Sequence, residues 1–315
     1  MSEIVTDEMW PHFAPLWTDL RQIAPGLLLA GGYALFLKQQ WLVSQSRFLG
    51  AEDGDSVVTE RGDKLIVGWV RTLVPIHQWK DQRPRVTKDF DFIANLDLIA
   101  SPEEQRQLYA ALEKHGFEVV PANARWQFEK KVSAGHSVVL DFHAPSPPEE
   151  RADLRVESRR VKPKRSLGQN VIHGRENPEV IGFELHPFPF IYEKVEIVLP
   201  NPVTLALMKL IAMRDRRLAS RDSSLSPEKR QEEDLQARKH AEDVCRVMAM
   251  MTREESDTAS GVLDAVRKSP VFEAATAAFL EFFKTDEDWG SQAATGRWQV
   301  DDFQIIRSTL AAWFR

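Results

Sequence analysis

The sequence predicts an α+β protein: a first part with a mixed set of strands and helices, followed by an all-helical last third. Three observations carry that prediction. Short apolar runs, at residues 27–30, 85–94, 126–132 and 137–143, read as strands. Segments with helical spacing and clear start signals lie among them. Beyond residue 198 the periodic segments are helical.

Trp10, Phe13, Leu16, Trp17 and Leu20 share one face of a first amphipathic helix, which Pro25-Gly26 stops. Residues 27–37 form an apolar strand that runs through Gly31-Gly32 into a helix. Glycines at such a junction let the backbone approach a partner closely, and the first-turn N–H groups of the helix attract an anion. Gly31 and Gly32 are therefore a candidate triphosphate cradle, with a tight packing turn as the plain alternative. Residues 41–84 are less regular and read as an insertion, with a hairpin whose turn is Glu60-Arg61-Gly62-Asp63. Ser101-Pro102-Glu103-Glu104 combines an N-cap, a proline at the first helical position and a glutamate three residues on, and opens a helix that Gly116 closes. Strands follow at 117–121, 126–132 and 137–143.

In the last third, Asn201-Pro202 opens a helix to about residue 217 and Ser226-Pro227-Glu228 opens another to Met251. Thr252 and Glu255 have capping-box spacing, and residues 271–284 and 302–314 are amphipathic. Phe272, Phe279, Phe282, Phe283, Trp289, Trp298 and Trp313 are expected in the core, not as base-stacking platforms. The polar stretch 217–233 is expected to be a mobile excursion.

The chain has 315 residues, 43% hydrophobic and 28% charged, which is globular composition with room for two domains. A net charge of -6 excludes a globally basic nucleic-acid coat, though not a local basic patch. The lone Cys245 excludes an intramolecular disulfide and a cysteine zinc cluster, so a reducing, cytoplasmic setting is expected. No signal peptide or membrane-spanning run is apparent.

The chemistry concentrates in Arg85-Val86-Thr87-Lys88-Asp89-Phe90-Asp91-Phe92. On a strand, Asp89 and Asp91 project from one face and Phe90 and Phe92 from the other. Two carboxylates side by side repel unless a divalent cation binds both. Asp141 stands late in a second apolar strand, and if that strand lies beside the first it completes a three-carboxylate cluster. Solvated acids at strand ends are the plain alternative. Between residues 151 and 165, Arg155, Arg159, Arg160, Lys162, Lys164 and Arg165 join Arg151 against two acids, for a local charge of +5. That strip suits an RNA backbone or is a solvated loop.

The order strand, Gly31-Gly32-Tyr33-Ala34, helix, Asp89-Phe90-Asp91, then Val139-Leu140-Asp141-Phe142 resembles the nucleotidyltransferase superfamily of the DNA polymerase beta type, and within it the AbiEii-like branch of abortive-infection and toxin–antitoxin systems. The helical block around Leu205-Ala206-Leu207-Met208-Lys209-Leu210, with Lys239, His240 and Asp243, looks like that branch's second block. The matches run from Leu27 to about Met251. The resemblance implies a catalytic domain over residues 1–198, with a mixed sheet flanked by helices and the insertion at about 41–84, then a helical domain over 199–315. It implies transfer of an NMP from an NTP to an acceptor hydroxyl, most directly an RNA or tRNA 3′ end. A small-molecule acceptor such as an antibiotic, and an inactive relative kept as a binding module, are the rivals. Asp89, Asp91 and Asp141 would hold two Mg²⁺ ions and carry catalysis; Gly31, Gly32, Lys209, Lys239 and Asp243 would bind the nucleotide; and a cognate antitoxin is an implied partner. Tyr33 stands where the family usually has a small hydroxyl residue, which would crowd the cradle, and His240 stands where an Asp is common.

Overall fold

The computed structural model describes residues 7–47, 56–61, 64–69, 71–80, 82, 87, 89–123, 125–133, 135–165, 168 and 170–315. In chain order the elements begin with α1 (Trp10–Ile23), β1 (Leu28–Ala30), α2 (Gly31–Arg47), β2 (Ser56–Arg61), β3 (Lys64–Trp69) and α3 (Ile76–Trp79). Next come β4 (Asp89–Ile93), α4 (Leu96–Ala100), α5 (Pro102–Lys114), β5 (Glu118–Val119), β6 (Gln127–Ser133) and β7 (His136–Ala144). Then follow β8 (Leu154–Glu157), β9 (Arg160–Pro163), β10 (Gly174–Glu176), β11 (Phe188–Tyr192) and β12 (Val195–Leu199). The helices α6 (Pro202–Ser220), α7 (Pro227–Ala249), α8 (Arg253–Val266), α9 (Pro270–Phe282), α10 (Trp289–Thr295) and α11 (Val300–Trp313) complete the chain. The α+β class and the helical last third thus stand, with a mixed sheet.

Two compact units form: Met1–Ala34 with Arg85–Pro200, and Leu35–Pro84 with Asn201–Arg315. The described residues among 41–84, expected as an insertion in the first domain, fall instead in the second unit. There, Leu73 and Val74 donate backbone hydrogen bonds to the carbonyls of Met251 and Ala249. The hairpin of this segment forms as β2 and β3, with β2 taking in Glu60 and Arg61 of the expected turn; Gly62 and Asp63 lie outside the described residues.

In the first unit the main sheet runs β1-β4-β7-β10-β9-β8, with β6 also paired to β7 and β5 to β6. β4 and β7 are parallel, whereas β1 and β4 are antiparallel. One face of the sheet is aromatic: Phe90, Phe92, Phe128 and Phe142 are buried, and Phe13 and Trp17 of α1 pack on them. Burying such rings away from water is worth about 2–3 kcal/mol each, which is why β4 can carry polar side chains on its opposite face. Helix α5 follows its sequence signals, with the Ser101 side chain accepting from the Glu104 N–H and Gly116 in the left-handed region just past the end.

In the second unit, α6 and α7 pack side by side. Of the stretch 217–233, residues 217–220 end α6 and residues 227–233 open α7, capped by Ser226 as its sequence signal announces, with a short turn at 221–226 between them. Ion pairs between Arg216 and Glu233 and between Arg217 and Asp234 tie the end of α6 to α7. The named aromatics are core as expected, except Trp289, which is half-buried and lies under the Arg217 guanidinium at 4.5 Å.

Lys38 and Glu255 form an ion pair at 2.6 Å with both side chains buried, and Glu255 also closes the capping box with Thr252. Removing one partner leaves a buried charge uncompensated. Glu255→Ala is therefore expected to lower stability by about 3–5 kcal/mol, seen as a lower denaturant midpoint; an unchanged midpoint would refute the pairing.

Candidate metal-binding site

The site is built on the polar face of β4 and β7. Parallel pairing sets Asp91 opposite Asp141, and Ile93 opposite His143. Because side chains alternate, Asp89, Asp91, Asp141 and His143 share the face opposite the buried phenylalanines. Asp91, Asp141 and His143 each offer a ligand atom, and these atoms all lie within 4.8 Å of one another. Asp89 lies two residues before Asp91, opposite Val139, and is not part of that group.

Each of the two paired aspartates is oriented by a neighbour. Gln127, opposite Asp141 on β6, donates through Nε2 to Asp141 Oδ1 at 2.7 Å, and Asn123 donates in turn to Gln127 Oε1 at 2.5 Å. Asp91 Oδ1 lies 3.0 Å from His143 Nε2. On the ring's other side Asn177 Nδ2 lies 3.4 Å from Nδ1. Arg175 on β10 stands opposite His143 and stacks on Trp126 at 5.2 Å.

Burial and then the negative charge of Asp91 push the Asp141 carboxyl up to about 6, against an ordinary 3.8. Gln127, His143 and Arg175 pull the other way without offsetting this. Two acids that resist joint ionisation, with hard oxygen donors facing each other, fit a divalent cation such as Mg²⁺ or Mn²⁺.

At the start of α2, Gly31 has φ +73°, and a Cβ there would lie 1.8 Å from Asp91 Oδ2. Glycine is thus required both by the backbone and by the Asp91 carboxylate packed against it. A Cβ at Gly32 would meet the Thr87 side chain at 3.3 Å. The glycines make room for two side chains of the chain itself, whatever the N–H groups of α2 bind. Tyr33 does not crowd this place: its ring is buried against Phe13 and Phe90, and its hydroxyl donates to Asp7 Oδ2 at 2.7 Å.

The remaining expected residues lie elsewhere. Lys209 is buried in the second unit and pairs with Asp243 at 2.9 Å. Asp243 also meets Arg246 at 3.4 Å, and Lys239, one turn earlier on α7, is exposed. The basic strip is a β-hairpin in the main sheet, not a loop: Ser158 and Arg159, both with positive φ, turn β8 into β9. Arg155, Arg160 and Lys162 all approach Glu157, at 3.5, 3.3 and 2.7 Å, while Arg159, Lys164 and Arg165 are exposed.

Sequence reasoning did not single out His143, Gln127 or Asn177. His143 had a signal, since it follows Asp141 by two on an alternating strand and so shares its face. Gln127 and Asn177 had none, because strand register and the crossover into β10 bring them in. Among the described residues no helix is long and apolar enough to cross a membrane. No protein-family model, curated protein or solved structure matches this chain, so the site is read from its own geometry.

Proposed function

We propose that this chain is a metal-dependent nucleotidyltransferase that moves an NMP from an NTP to an acceptor hydroxyl, with an RNA 3′ end as the acceptor. The single observation that carries the reading is the parallel register of β4 and β7, which sets Asp91 beside Asp141 with Asp89 on the same face. Divalent ions bound there would neutralise the triphosphate and activate the acceptor hydroxyl. In this reading Asp91 and Asp141 hold the ions, and Asp89, one pleat away, reaches toward the phosphates with them. Gln127 holds Asp141 through a neutral amide, so the negative charge that attracts a cation is not cancelled. The helix N-terminus at Gly31 adds N–H groups suited to phosphate oxygens. The RNA acceptor is supported by the β8–β9 hairpin, whose exposed Arg155, Arg159, Lys164 and Arg165 belong to the same sheet as the aspartates. A toxin or phage-defence role follows from the resemblance alone.

The test is incubation with each labelled NTP, Mg²⁺ or Mn²⁺ and total tRNA. Wild type is expected to label RNA and Asp91→Asn is not. Label in a small molecule would remove the RNA acceptor. No label in any acceptor, with no NTP-dependent thermal shift, would remove the enzyme reading.

A further inference from the structure

We propose that His143 is a positioning residue that holds Asp91 through Nε2–H, with its tautomer set by Asn177, and that it orients Asp91 without ligating the ion itself. The inference rests on the metal-dependent reading above.

The orientation of Asn177 is the starting point. Its Oδ1 accepts the Glu179 N–H at 3.1 Å, at the start of the short turn Pro178–Val180, and its own N–H donates to the Ala144 carbonyl at 2.8 Å. With Oδ1 committed to that cap, the amino group is the part of the amide that faces His143. An amino group donates only, so Nδ1 must accept. The ring proton is then on Nε2, which lies 3.0 Å from Asp91 Oδ1 and donates to it. The alternative tautomer would set an N–H against the Asn177 amino group and a lone pair against the Asp91 carboxylate, which is unfavourable at both ends.

The consequence is directional. Asn177 to His143 to Asp91 Oδ1 on one side matches Asn123 to Gln127 to Asp141 Oδ1 on the other. Each carboxylate has one oxygen fixed by a donor, and Asp91 Oδ2 is the oxygen packed against Gly31. His143 is buried, so its ring is held in one orientation by packing as well as by these bonds. Outer-shell donors of this kind typically change metal affinity by about 10–100-fold when removed.

The experiment uses the full chain and two readouts. Long-range ¹⁵N NMR of the imidazole in the ion-free protein is expected to show the Nε2–H tautomer in wild type. Asn177→Asp, which swaps the amino group for an acceptor, is expected to place a proton on Nδ1. Mn²⁺ affinity is expected to fall by about 10–100-fold in His143→Leu and to recover most of that loss in His143→Gln, whose amide keeps a donor. Electron-nuclear spectroscopy of bound Mn²⁺ is expected to show no directly coordinated nitrogen from His143. An Nδ1–H tautomer in wild type, a coordinated imidazole nitrogen, or equal Mn²⁺ affinity in wild type and His143→Leu would each overturn the proposal. Should His143→Leu fail to fold, the tautomers of wild type and Asn177→Asp decide the matter. If these results hold and no NTP is transferred to any acceptor, the positioning role stands and the nucleotidyltransferase reading falls. If wild type shows the Nε2–H tautomer but binds no Mn²⁺ or Mg²⁺, both fall.

Discussion

Asp141→Asn is expected to abolish nucleotidyl transfer while making the ion-free protein more stable at neutral pH. The loss of activity, on the order of 10³-fold or more, follows if the carboxylate contributes several kcal/mol by holding an ion. The gain in stability has a separate origin. Burial and the Asp91 charge raise the folded-state proton affinity of Asp141 from 3.8 to about 6, so ionising it opposes folding. Below about pH 4 the group is protonated in both states and the penalty is absent; it grows through pH 4–6 and is complete above about 6. At pH 7.5 the penalty is about 1–3 kcal/mol, and asparagine removes it. Chemical unfolding across pH 4–8 without divalent ions is the measurement: the wild type should lose stability relative to Asp141→Asn as pH rises through that window. Mg²⁺ should then stabilise the wild type more at pH 7.5 than at pH 5 and leave the variant unmoved. Parallel pH curves for the two proteins would refute the account of strain in the aspartate pair.

Gly31→Ala is expected to cost both activity and stability, the opposite pairing of effects. Its φ of +73° disfavours any side chain by roughly 1–2 kcal/mol. The larger effect is steric, since the new Cβ would lie 1.8 Å from Asp91 Oδ2 and 2.9 Å from Asp91 Cβ. Either Asp91 or the start of α2 must move. Displacing Asp91 should lower transfer on the order of 10³-fold, as loss of its carboxylate would. Thermal unfolding and Mn²⁺ affinity read the two consequences. A variant that keeps wild-type Mn²⁺ affinity would show that Asp91 does not need its place against the helix.

Local signals were legible wherever the chain itself supplied the partner. Trp10 to Ile23, the Ser101 cap with Gly116, and the Thr252–Glu255 capping box all appear where sequence spacing put them. The capping partners are three residues apart, so no distant contact was needed to make them. Charge along the chain did not show that Lys209 is buried, nor what ties the polar residues near 217 to those near 233. Lys209 is buried because Asp243, 34 residues away, compensates it, and the Arg216–Glu233 and Arg217–Asp234 pairs span 17 residues each.

The alternation of β4 by itself determined that Asp89 and Asp91 share one face and that the phenylalanines form the other, because side chains alternate along any strand. The tertiary structure alone decided what stands beside them. Parallel pairing chose Asp141 as the neighbour of Asp91, whereas a slip of one residue would have turned it into the core. The same register brought His143 into reach of Asp91 and left Asp89 outside that group. Tyr33 likewise depended on the third dimension: its place after two glycines is local, but the Phe13 and Phe90 rings and Asp7 turn it into the core. Side-chain alternation is a property of the backbone, while register and burial are set by packing across distant segments, and the candidate site needs both.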